Sequence, residues 1–87
     1  MVKGVTRSGF EFEAAEDIAN DMELFEALSD LDGGDTRALV PVCRIVLGTQ
    51  KKALYEHLRK QYGKVPIDKV YEEITDIFGA LKDGKKS

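Results

Sequence analysis

Tryptophan is missing from this sequence, histidine and cysteine occur once each, and proline occurs twice. A single cysteine, Cys43, excludes an internal disulfide. With one histidine, His57, beside it, the chain has no His/Cys cluster for zinc. No apolar stretch approaches the ~20 residues that a helix needs to cross a bilayer. The longest, Leu39 to Leu47, is interrupted by Arg44. The opening Met-Val-Lys-Gly-Val-Thr-Arg has charges with no apolar signal region behind them, so the expected location is the cytoplasm. A glycine-rich phosphate loop and a nucleophile elbow are both missing. The sequence therefore nominates no catalytic, cofactor-binding or metal-binding residue, and the expectation is a protein that is not an enzyme and takes no cofactor.

What is present suits one small globular domain. The chain has 87 residues, of which 43% are hydrophobic and 33% charged, a folded rather than a disordered balance. A chain this short builds one modest core. The expected organisation is a single compact domain over residues 1–81 and a flexible basic tail over 82–87. The net charge of −3 conceals a split. Residues 1–35 hold ten acidic and two basic side chains, a net −8, whereas residues 36–87 hold six acidic and eleven basic ones, a net +5. Such a division can steer a partner or draw the two halves of a fold together.

Residues 2–13 read as a hairpin turning at Arg7-Ser8-Gly9. Phe10-Glu11-Phe12-Glu13 alternates, so the phenylalanines share one face and the glutamates the other. Asn20 or Asp21 can cap a first helix with an apolar stripe of Met22, Phe25, Leu28 and Leu31, widened by Leu24 and ended by Gly33-Gly34. A second helix follows Asp35 or Thr36. There, Pro41 demands either a loose turn before a start near Leu39 to Pro41 or a kink. Its apolar residues, Leu39 to Leu47, mark it as the buried central helix, with Gly48 as its stop. Thr49 can cap a third helix over 50–62, with Leu54, Leu58 and Tyr62 on one face and Gly63 at its end. Pro66 opens a fourth, whose Ile67, Val70, Tyr71, Ile74, Ile77, Phe78 and Leu81 give the clearest helical period. Ile74 and Phe78 are its expected core positions. The fold class is α+β, mainly α: an N-terminal β-hairpin packed on about four helices. Two exposed hairpin edges leave room for a second copy, so a homo-oligomer is expected.

Several constellations have a plainer reading than a functional one. Asp30 to Asp35 suggests a calcium loop, but the fifth, sixth and twelfth positions counted from Asp30 are Gly34, Asp35 and Pro41, and all three break the pattern. A helix stop followed by an N-cap explains the segment. Cys43 sits among Val42, Ile45 and Val46 and reads as a small buried residue. His57 reads as a helix-flank histidine. Glu72 and Glu73 point about 100° apart on a helix and cannot form a close acid/base pair. The basic run from Lys51 to Lys64 before another helix suggests a helix-turn-helix. However, the fourth helix would offer Asp68, Glu72, Glu73 and Asp76 to phosphates, so nucleic-acid binding is not expected.

Taken in order, the segments resemble a family. An acidic hairpin precedes an acidic helix ending in Leu31-Asp32-Gly33-Gly34-Asp35. The apolar stretch Ala38 to Leu47 follows, then Leu47-Gly48-Thr49-Gln50-Lys51. After these come Leu54-Tyr55-Glu56-His57-Leu58-Arg59, Gly63-Lys64-Val65-Pro66-Ile67, the Ile74 to Ala80 stretch and a Lys85-Lys86-Ser87 end. Over roughly residues 10–87 this order resembles the small tail assembly chaperones of long-tailed bacteriophages and prophages. The resemblance implies a non-enzymatic factor in the bacterial cytoplasm that binds the tape-measure protein and helps tail-tube subunits polymerise around it. It also implies that a frameshift near the lysine-rich end can yield a longer product. Pro41 and Cys43 match no role in that family. The alternative from a different class is a small nucleic-acid-binding regulator.

Overall fold

Phe10 to Glu13 leads into a strand, as its alternation requires. In the computed structural model, which describes Met1 to Gly84 and side-chain surroundings as far as Leu81, β1 (Val2–Val5) pairs antiparallel with β2 (Glu11–Ala14). Gly9 closes the turn at φ +92°, a conformation open to a residue without Cβ. Phe10, Phe12 and Ala14 are buried on one face, and Glu11 and Glu13 are exposed on the other. Phe12 stands opposite Gly4 in the register. A Cβ on Gly4 would lie 2.9 Å from Phe12 Cζ, so the missing side chain makes room for the ring.

The remainder of the described chain is mainly helical. Asp21, not Asn20, caps α1 (Met22–Asp32), its Oδ1 accepting from the N–H groups of Glu23 (2.8 Å) and Leu24 (3.2 Å). Gly33 and Gly34 end the helix, and the Asp35 side chain then caps a 3₁₀ turn, Thr36–Ala38, by accepting from the Arg37 N–H at 3.1 Å. The sequence allowed two readings of Pro41, and the structure takes the turn. α2 (Leu39–Leu47) starts just after it, so proline falls in the first helical turn, where a missing N–H breaks no intrahelical bond. Gly48 ends α2, and a second 3₁₀ turn, Gly48–Gln50, leads into α3 (Lys51–Tyr62). Gly63, at φ +78°, closes α3 with its N–H on Arg59 O. α4 (Ile67–Gly84) follows Pro66. Its backbone includes residues 82–84, which the sequence assigned to a tail, whereas residues 85–87 of that tail lie outside the described residues. No described helix is long and apolar enough to cross a membrane.

One core joins the hairpin to all four helices, with α2 packed against α1, α3 and β2. Leu24, Val42, Leu54, Leu58 and Ile77 lie deepest. Several expectations need correction. On α1 the inward line is Leu24 and Ala27, buried, with Leu28 and Leu31 partly buried beside them, whereas Met22 and Phe25 are exposed. That line has helical spacing of its own, and α1 packs on α2. Thr49 caps nothing, because the 3₁₀ turn before α3 satisfies that end locally. Tyr62 is exposed at the end of α3, with Lys69 Nζ 5.6 Å from its ring centroid. On α4, Ile74 is buried as expected. Phe78 is only half-buried, because the inward line runs through Val70, Ile74, Ile77 and Leu81.

The hairpin is also less open than expected. Gln50, just before α3, turns its amide to the outer edge of β2. Gln50 Oε1 accepts from Glu13 N–H at 2.8 Å, and Nε2 donates to Glu13 O at 2.7 Å and to Leu47 O at 3.2 Å. One side chain thus occupies both backbone groups of a strand residue and ties the sheet to the α2–α3 junction.

Candidate functional site

Two features stand apart from ordinary core packing. The first is a polar cluster under the hairpin turn. Glu73 is on α4, three residues after Val70 and four before Ile77, so helical geometry turns it inward beside them. It is 2% exposed. Its Oε1 accepts from Thr6 Oγ1 at 2.6 Å and from Ser8 Oγ at 2.8 Å. From α3, His57 Nε2 lies 3.0 Å from Ser8 O and 3.2 Å from Ser8 Oγ, and Gln61 Nε2 donates to Ser8 O at 3.0 Å. Because the Ser8 carbonyl can only accept, the contact assigns the proton to His57 Nε2. The His57 ring also sits 5.8 Å from Phe10, centroid to centroid, at a tilt of 48°. Alongside, Arg7 grips Asp76 with its backbone N–H (2.9 Å), Nε (3.1 Å) and Nη2 (2.7 Å).

This cluster contains a serine, a histidine and a glutamate, but their order does not match a nucleophilic triad. A triad places the imidazole between hydroxyl and carboxylate, so that it takes the hydroxyl proton. Here Ser8 is in the middle. Its hydroxyl donates to Glu73, while His57 donates to Ser8. The arrangement fastens the turn to α3 and α4. No buried side-chain nitrogen or oxygen among the described residues is left without a partner. The sequence reading treated Glu73 as a surface charge. The signal for its true place was its spacing from Val70 and Ile77.

The second feature is an open apolar groove of about 400 Å³. One wall is the turn Thr36–Ala38 with Leu39, Val40 and Cys43 of α2. The other is formed by Tyr55 of α3, Val65, and Ile67 and Val70 of α4. It continues into a second depression along Pro66, Ile67 and Tyr71, edged by Lys64, Asp68 and Glu72. Val40, Ile67 and Tyr71 are exposed. Gly63, at positive φ, and Pro66 lie in the connection between α3 and α4, and the start of α4 lines the groove together with α2. Cys43 is buried in the groove wall, where desolvation raises its thiol pKa to about 11 despite the opposing pull of Lys51. At that pKa it is a thiol, not a nucleophilic thiolate, at neutral pH.

No family model, characterised protein or solved structure matches the chain. Function therefore has to be argued from the two sites themselves. His57 and Cys43, the residues singled out in the sequence, fall one in each, 57 under the hairpin turn and 43 in the groove wall. Asp30 to Asp35 forms a helix stop and an N-cap. Among the described residues no group of three or more His, Cys, Asp or Glu side chains is placed to hold a metal.

Proposed function

We propose that this chain is a non-enzymatic tail assembly chaperone of the phage and prophage kind. In this reading its groove between α2 and the start of α4 holds apolar segments of the tape-measure protein while tail-tube subunits assemble. The fold proposed for that role is a hairpin packed on four helices, α1 to α4. The observation that carries the reading is the groove, which is open, lined mainly by aliphatic and aromatic side chains, and bordered by exposed Val40 and Ile67. An amphipathic helix lays side chains at i, i+3, i+4 and i+7 into a groove of that character. A long helical client would present such segments repeatedly, so modest single contacts would add up over many copies. The ordered resemblance of the sequence to that family supports the same reading, and the charge split would guide encounter more than tighten the complex.

Co-expression with a tape-measure protein tests it. The client should be more soluble with this chain than without it, and the two should co-purify. Ile67→Asp, which puts a charge at the mouth of the groove on an exposed position, should abolish both effects without unfolding the chaperone. A client equally soluble alone, with no complex recovered, would refute the proposal. Retention of nucleic acid that salt removes would favour the small regulator instead.

A further inference from the structure

The outer face of α1 carries apolar side chains that the fold does not use. Met22 is 66% and Phe25 61% exposed, three residues apart on one helical face. Glu23 and Glu26 neighbour them, and α1 as a whole holds four acidic and no basic residues. The groove has the opposite character at its Val40 end. Arg37 is its charged liner there. Arg44 is exposed one helical turn beyond Val40 on α2. Arg37 is itself paired with Asp35 at 3.1 Å, though its side chain remains 92% exposed. The acidic Asp68 and Glu72 belong to the other end, toward Tyr71, where Glu72 faces Lys69 at 3.6 Å.

We infer that the groove of one copy receives α1 of a second copy, with Met22 and Phe25 entering beside Val40 and the acidic side chains of α1 meeting Arg37 and Arg44. The two surfaces are different, so the contact is heterologous, with knob on one side and groove on the other. It accounts for two exposed apolar features and a charge split with one arrangement. It differs from edge-to-edge pairing of hairpins, which the Gln50 amide obstructs on β2 at Glu13. It does not depend on the client reading, but it adds to it. A client helix would enter a groove that self-association otherwise fills.

The test is complementation between two single variants in sedimentation velocity. Phe25→Asp removes the knob and keeps the groove, whereas Val40→Asp blocks the groove and keeps the knob. Both positions are exposed, and unchanged circular dichroism and melting verify the fold. Met22→Asp with Ile67→Asp provides a second pair if either variant melts early. The wild type should gain mass with concentration. Each variant alone should associate at least about tenfold more weakly, the usual reach of one anchor residue. An equimolar mixture of the two should recover a species of twice the monomer mass that neither forms alone. A wild type monomeric throughout, a Phe25→Asp variant that assembles like the wild type, or a mixture that stays monomeric would each overturn the inference. Phe25→Asp should still bind a tape-measure client, so loss of self-association and loss of client binding are separable.

Discussion

Replacing Glu73 by alanine removes the acceptor shared by Thr6 and Ser8, at 2.6 and 2.8 Å, from a site that is 2% exposed. Water does not screen the loss there. Each hydrogen bond contributes about 1–1.5 kcal/mol, and the missing carboxymethyl group adds about 1 kcal/mol for the space left behind. The Thr6 hydroxyl can turn to Ser8 Oγ at 3.2 Å, which limits the further cost of an orphaned donor. The expected loss is about 3–4 kcal/mol, out of roughly 4–13 kcal/mol for a chain of this length. Glu73→Gln keeps an oxygen where Oε1 stands and should lose about 1 kcal/mol or less. Urea denaturation with a common m value reads both variants. The pair Thr6→Val and Glu73→Ala should couple by about 1 kcal/mol in a double-mutant cycle. A loss below about 1 kcal/mol for Glu73→Ala would refute the picture of a carboxyl group fastening the hairpin turn to α4.

Other perturbations have equally definite outcomes. Ile77 is fully buried, so Ile77→Ala should cost about 2–5 kcal/mol in the same denaturation assay. The Arg7 guanidinium, by hydrogen bonding first and charge second, holds the Asp76 carboxyl below its usual 3.8. A lowered carboxyl pKa gives stability that is present above 3.8 and lost as pH falls through the folded-state value. Melts of wild type and Arg7→Ala should therefore differ at neutral pH and converge in acid. The Cys43 thiol shifts the other way, from 9.0 to about 11 by burial. In the unfolded chain it ionises first, so its contribution holds below pH 9 and is lost between pH 9 and about 11. Cys43→Ala should lose less stability than wild type across that interval, and native Cys43 should resist thiol reagents at pH 8.

The periodic parts of the fold were legible in the sequence. Phe10 and Phe12 face inward because strand alternation leaves them no other side, and Gly33, Gly48 and Gly63 end helices where the apolar periods stop. Which of two apolar lines on a helix turns inward was not legible on α1. Met22, Phe25, Leu28 and Leu31 and the line Leu24, Ala27, Leu28 and Leu31 both satisfy the period, and the packing of α1 on α2 decided between them. Phe78 lost its expected place for a similar reason, since Ile77 lies nearer the middle of the inward face. Gln50 and Glu73 were missed because their roles depend on partners 37 and 65–67 residues away in sequence. A polar side chain carries no local sign of such a partner. The position of the groove was not legible in the sequence. Its walls come from the Thr36–Ala38 turn, α2, α3 and the start of α4, and no local pattern encodes how these separate stretches meet.

The most direct test of the groove as the client site is the affinity of wild type and Ile67→Asp for a tape-measure protein at low and moderate salt. The wild type should bind, with salt slowing association but changing the dissociation constant only a few-fold, because apolar contact holds the complex. Ile67→Asp should bind at least about tenfold more weakly at both salt concentrations. Equal binding by the two proteins, or an affinity that falls by orders of magnitude with salt, would contradict the assignment.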